Sequence, residues 1–268
     1  MPHHFLGEYP VWTTPMGNGP NPALLLHCAL AHSGAWKGMM AKLNTDLRAL
    51  AFDLPSHGQS GDWDGSGDYH DLARDVALDL LGDRPADLVG HSLGATVALR
   101  LAVERPDLVR SLTLIEPVYF VAAKGTSAFK SYKASLRHFA GPLMAGDKVA
   151  AARYFTGQWG DGRGWEQQSD DERAYAVNRI GVIPATEAQV MRDAAGVLAP
   201  GALEALTMPV LLMRGAESPT IMTAVQEALA ARIPHAETAV IDEARHMLPI
   251  THPVPCAAKI QAFLARIG

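Results

Sequence analysis

Apolar runs of four or five residues recur along the chain and alternate with longer stretches of helical period. The segments 23–27 (ALLLH), 47–53 (LRALAFD), 86–90 (ADLVG), 111–115 (SLTLI), 209–213 (PVLLM) and 238–241 (TAVI) read as strands. None shows strict alternation of apolar and polar residues, so both faces are predicted to be buried, as in a parallel sheet. Between them, 69–81, 93–105, 221–233 and 255–267 repeat apolar residues at three- and four-residue spacing and read as amphipathic helices. Strand–helix alternation predicts an α/β fold with a doubly wound, mostly parallel sheet.

One span breaks the alternation. From 118 to 206 no strand pattern is evident, and 127–140, 147–159, 170–181 and 185–198 read as helices around a glycine-rich break, GDGRG, at 160–164. The predicted organisation is a core of 1–117 and 207–268, with 118–206 as a helical lid over the carboxyl ends of the strands, where ligands of such sheets bind.

Composition narrows the function. The 268 residues are 48% hydrophobic and 19% charged, enough for a sizeable core. A net charge of −5 without a basic run argues against nucleic acid or an anionic membrane as a partner. Cys28 and Cys256 form no disulfide framework, and no apolar stretch approaches the roughly 18–20 residues that span a bilayer. The N-terminus has no basic flank leading into an apolar run, so no signal peptide is read. The expectation is a cytoplasmic protein, monomer or homodimer, acting on a small molecule. No zinc-ligand spacing, P-loop or strand-linked G-x-G-x-x-G is present, so no metal and no cofactor are predicted. The neighbours His3 and His4 are weak as metal ligands.

The chemistry concentrates in ADLVGHSLGATVALRLA. Gly90, Ser92 and Gly94 form G-x-S-x-G between a predicted strand and a predicted helix. Such a turn lifts a serine hydroxyl above the sheet and sets it at a helix N-terminus, where the Leu93 N–H can meet a developing oxyanion. LLLHCALAHSGAW (24–36) follows a strand where a second oxyanion donor would arise. AFDLPSHGQS (51–60) is a strand entering a tight turn, and ARHMLPITHP (244–253) places His246 between the last strand and the last helix.

With these motifs the chain resembles the α/β-hydrolase superfamily over nearly its whole length, in particular its lidded serine esterase and lactonase-like branch. The resemblance implies Ser92 as nucleophile, His246 as base, and the Ala29 and Leu93 N–H groups as the oxyanion hole, with the lid inserted after the superfamily's sixth strand, here 111–115. Four positions depart from the branch's pattern. His27-Cys28 stands for HG, Ser56 for the first glycine of PGHG, Arg245 for the glycine before the histidine, and Ser218 for the aspartate after the seventh strand. The acid is therefore expected elsewhere. Glu116, one residue past 111–115, is the first choice, and Glu217 the second.

His91 is expected to be structural, and His27 and His57 to bond loop backbone. His32, His70, His138, His235 and His252 are read as surface or packing residues. Leu30, Val118, Met144, Trp159 and Met247 are the expected pocket residues, with Phe129 and Phe155 as further lid candidates. The predicted function is a serine hydrolase cleaving an ester or lactone of a small apolar acyl group. The alternatives are C–C bond hydrolysis or cofactor-free perhydrolysis with the same triad, or a low-turnover ligand receptor. Haloalkane dehalogenation is disfavoured, since those relatives carry aspartate at the position of Ser92.

Overall fold

The computed structural model describes residues 4–43 and 46–267; His3 lies outside them. A short antiparallel hairpin, β1 (His4–Leu6) and β2 (Tyr9–Val11), precedes the main sheet. That sheet holds β3 (Thr13–Met16), β4 (Asn21–Leu26), β5 (Leu47–Phe52), β6 (Ala86–His91), β7 (Val109–Ile115), β8 (Val210–Gly215) and β9 (Glu237–Ile241). Its spatial order is β3-β5-β4-β6-β7-β8-β9, with only β3 antiparallel to its neighbour. The strand that precedes Glu116 is thus seventh in this chain, because the hairpin and β3 were not legible as strands. β1 and β2 are three residues each, and β3 carries Pro15, which is tolerated at a sheet edge.

The absence of polar alternation has a direct cause. Leu24 and Leu26 of β4, Leu112 and Leu114 of β7, and Leu212 of β8 point into one core. The intervening Ala23, Leu25, Ile115, Leu211 and Met213 point into the other. The first core is covered by α2 (Tyr69–Leu81), α3 (Leu93–Glu104) and α10 (Thr220–Ala230), the second by α1 (Lys37–Met40) and α12 (Pro253–Ile267). In the central strands β6 and β7 nearly every side chain meets a helix layer, so neither face selects polar residues, whereas β9 at the sheet edge leaves Glu237, Thr238 and Val240 exposed.

Between β7 and β8 come α4 (Ser127–Ser135), α5 (Arg137–Met144), α6 (Lys148–Trp159), α7 (Asp170–Arg179), α8 (Val182–Ala185) and α9 (Glu187–Arg192). The pattern over 127–140 predicts one helix, but the chain is divided at Leu136 into α4 and α5. Tyr132, Leu136, Phe139 and Leu143 then line one concave surface. The pattern over 185–198 is likewise cut short. Asp193 takes a left-handed conformation, accepting hydrogen bonds from Tyr119 Oη (2.6 Å) and the Leu198 N–H (2.9 Å), and this ends α9. The short α11 (Leu248–Thr251) completes the helices. Among the described residues no helix is long and apolar enough to cross a membrane.

Candidate active site

The strand order reverses beside β4: the chain leaves it for β5 on one side and returns to β6 on the other. Loops leaving adjacent strand ends at such a point diverge and open a crevice. Ala29 follows β4 and Ser92 follows β6, so both lie at this crevice.

Ser92 sits at φ 55° and ψ −114°, a conformation that non-glycine residues rarely hold. Close packing enforces it. A Cβ on Gly94 would lie 2.2 Å from the Leu26 carbonyl oxygen, and one on Gly90 2.5 Å from Cα of Ala95. Only glycine on both sides lets the turn press this tightly against β4 and α3. The Ser92 N–H is held by the Ile115 carbonyl (2.8 Å) and the Gly94 N–H by the His27 carbonyl (3.1 Å).

His246 Nε2 lies 2.9 Å from Ser92 Oγ, and His246 Nδ1 lies 2.9 Å from Glu116 Oε2. The other Glu116 oxygen accepts the Gly215 N–H (2.8 Å) and the Ser218 hydroxyl (2.7 Å). The serine at the expected aspartate position thus donates to a carboxylate that arrives from β7. Glu116 is itself at φ 50°, anchored by its N–H to the Met213 carbonyl. All three side chains are buried, Glu116 fully. With a carboxylate as acceptor, Nδ1 carries the proton and Nε2 faces Ser92 as an acceptor. Glu217 is exposed, and its N–H bonds the Ala244 carbonyl. Exposed Arg245 directs its side chain to solvent, which explains why glycine is not needed before His246.

His91 does more than pack. Its Nε2 donates to the carbonyl of His246 (2.8 Å), and the two rings are 5.3 Å apart. Burial lowers its pKa to about 3, so it stays neutral. Its place directly before Ser92 was the only sequence clue to this contact. His27 and His57 form a matched pair. Each accepts a loop N–H at Nε2, from Leu54 (2.9 Å) and Leu30 (3.0 Å) respectively. Each therefore has Nδ1 protonated, donating to the Cys28 (2.7 Å) and Pro55 (2.8 Å) carbonyls. Burial lowers both pKa values to about 3. His70, read as surface or packing, is buried and reaches Thr96 Oγ1 (3.0 Å). Among the described residues no group of His, Cys, Asp or Glu is arranged to hold a metal ion.

A cavity of about 320 Å³ opens directly on this cluster, lined by Ala29, Ser92, Leu93 and His246 from the core. Val118, Met144 and Trp159 line it, as do Phe120, Phe139, Phe155, Ile183, Val190 and Met191 from 118–206. Trp159 stands edge-on to His246, ring centres 4.8 Å apart. Two expected pocket residues are corrected. Leu30, half-buried, packs against a separate core formed by Phe139, Ala151, Ala152, Ala176 and Ile180. Met247 turns its sulfur to Cys28 Sγ, 3.8 Å away. Phe129 packs against the main core instead of lining the cavity. Leu93 is the first residue of α3, so its N–H has no acceptor within the helix, and among the described residues the Ala29 N–H meets none.

Strand order, the strained serine turn and the buried histidine define an α/β hydrolase. A model of the alpha/beta hydrolase family matches residues 23–259, and the chain belongs to that family. It is 29% identical over 258 residues to the pimeloyl-[acyl-carrier protein] methyl ester esterase of Methylococcus capsulatus, covering 93% of this chain and 96% of that one. It is also 29% identical over 237 residues to the 2-(acetamidomethylene)succinate hydrolase of Mesorhizobium japonicum, covering 86% and 82%. Among solved structures, the haloalkane dehalogenase DbeA from Bradyrhizobium elkani superposes with a TM-score of 0.76 at 25% identity, over 98% of this chain and 97% of that one. Family and relatives together make this chain a hydrolase.

Proposed function

We propose that this hydrolase is a serine esterase or lactonase that works through an acyl-enzyme. Ser92 attacks the carbonyl carbon while His246 Nε2 takes its proton. Glu116 keeps the proton on Nδ1 and balances the imidazolium that forms. The Ala29 and Leu93 N–H groups receive the oxyanion. His246 then passes its proton to the leaving alcohol and activates the water that releases the acid. Residues 118–206 act as the lid, and their apolar wall holds the acyl group.

One observation carries this reading: the continuous hydrogen-bond chain from Ser92 through His246 to Glu116, ending at an apolar cavity. The cavity falls within the roughly 300–1,000 Å³ of small-molecule sites. The methyl ester esterase among the relatives supports ester chemistry. A fluorophosphonate probe is expected to label the wild-type chain once and the Ser92→Ala chain not at all. Turnover on acyl esters and lactones of increasing chain length then defines the substrate. Labelling that survives Ser92→Ala refutes the nucleophile. Labelling at Ser92 without turnover of any ester or lactone would favour C–C bond hydrolysis or perhydrolysis.

A further inference from the structure

The loop carrying Ala29 is gripped by the lid. Its next residue, Leu30, is at φ 59° and packs its half-buried side chain against lid residues, including Phe139, Ala176 and Ile180. One residue further, the Ala31 carbonyl accepts the hydroxyl of Tyr175 from α7 (2.7 Å). The same hydroxyl accepts the Gly58 N–H (2.8 Å). Gly58 adjoins His57, whose Nε2 accepts the Leu30 N–H. One phenol therefore ties together the lid, the loop at 28–31 and the turn at 55–58. The Arg179 guanidinium lies 3.7 Å over the Tyr175 ring and fixes its orientation.

We propose that Tyr175 is a positioning residue that couples seating of the lid to assembly of the oxyanion hole. The proposal rests on the reading of Ser92 as nucleophile and Ala29 as an oxyanion donor. A left-handed conformation at a leucine persists only where its surroundings over-determine it. Here two of the constraints, the apolar seat of Leu30 and the hydroxyl on the Ala31 carbonyl, come from the lid. When the lid lifts, both are lost, Leu30 relaxes, and the adjoining Ala29 N–H turns away from the carbonyl it must serve. A substrate that fails to seat the lid then meets an incomplete hole, so selection falls on kcat as well as on binding.

Tyr175→Phe removes the hydroxyl and keeps the ring, its stacking on Arg179 and its apolar contacts. Losing an oxyanion donor outright costs about 10²–10³ in kcat, so a displaced donor should cost about 10- to 100-fold. KM for the same ester should change little. Affinity for an alkylboronic acid, which becomes tetrahedral on Ser92, should fall in parallel with kcat. Affinity for a primary alcohol of equal length should not. Hydrogen exchange of the Leu30 and Ala31 amides should quicken, while β6 stays protected and the melting temperature moves little. Arg179→Met, which frees the ring but keeps the phenol, should shift the same quantities in the same direction by a smaller factor.

A raised KM at wild-type kcat, undiminished boronate affinity, or unchanged exchange at 30–31 would each overturn the proposal. If fluorophosphonate fails to label the wild-type protein, the serine reading itself falls and the oxyanion role falls with it. Exchange that nonetheless quickens in Tyr175→Phe would mark a loop tie without catalytic meaning.

Discussion

Replacing Glu116 with glutamine should remove nearly all catalytic advantage while leaving the fold intact, and the geometry dictates why. Glu116 Oε1 faces the Gly215 N–H at 2.8 Å, a group that can only donate. An amide NH₂ at that position would oppose two donors, so the amide oxygen must take it, still accepting from Ser218 as well. The NH₂ then points at His246 Nδ1, 2.9 Å away. To accept that N–H, Nδ1 must lose its proton and Nε2 must gain one. Nε2 then no longer accepts from Ser92, and the imidazolium has no negative partner. Making such an acid an amide costs about 10⁴-fold in kcat, or about 5.5 kcal/mol of transition-state stabilisation. The assay is steady-state kinetics on an acyl ester that the wild-type enzyme turns over, with circular dichroism and urea unfolding as controls. The exposed Glu217→Gln control should lose less than about tenfold. A Glu116→Gln enzyme within tenfold of wild type, or a crippled Glu217→Gln enzyme, would refute the assignment of the acid.

Other expectations concern the frame around the site. Ser218→Ala removes one of the hydrogen bonds on Glu116, and because Ser218 is half-exposed, water can substitute, so urea unfolding should show a loss of only about 1 kcal/mol. Gly94→Ala drives a methyl into the Leu26 carbonyl, and thermal or urea unfolding should show a loss of about 3 kcal/mol or more, with the kinetics impaired as the turn moves. Acid should destabilise the protein well above the carboxylate range. His27, His57, His70 and His91 have pKa values lowered by burial from 6.5 to about 3, so on acidification the unfolded chain takes up their protons first. Their stabilisation is complete above pH 6.5 and is lost as pH falls toward 3, approaching about 1.4 kcal/mol per pH unit for each. Urea unfolding that gives equal stability at pH 7.5 and 5.5 would contradict this.

The layered core and the local frame of the site are legible in the order of residues along the chain. Strands buried on both faces must be apolar throughout, and helices covering them must be apolar on one side, so β4, β6, β7 and β8 and α2, α3, α10 and α12 are readable from period alone, while β5 and the more exposed β9 are readable from their short apolar runs. The turn at Ser92 was readable for the same reason. Its requirement for glycine at 90 and 94 is a matter of backbone space within a few residues. Elements that depend on neighbours distant in sequence were not readable. The hairpin β1–β2 and edge strand β3 are too short to show a period. The helix pattern at 185–198 carries no sign that Tyr119, far back along the chain, will capture Asp193 and stop α9. The division of labour is sharpest around His246. Ser218 announces that an aspartate is missing and Glu116 offers itself at a strand end. Yet the hydrogen bond between Glu116 and His246 spans 130 positions, and only the sheet order β7-β8-β9, which sets the ends of β7 and β9 on either side of β8, brings the two together. Leu30 and Met247 show the converse. Both stand next to site residues in the sequence, and tertiary packing turns Leu30 against Phe139, Ala176 and Ile180 and Met247 onto Cys28. Period and glycine spacing record short-range sterics, whereas the direction of a loop side chain is set by whichever distant surface buries it.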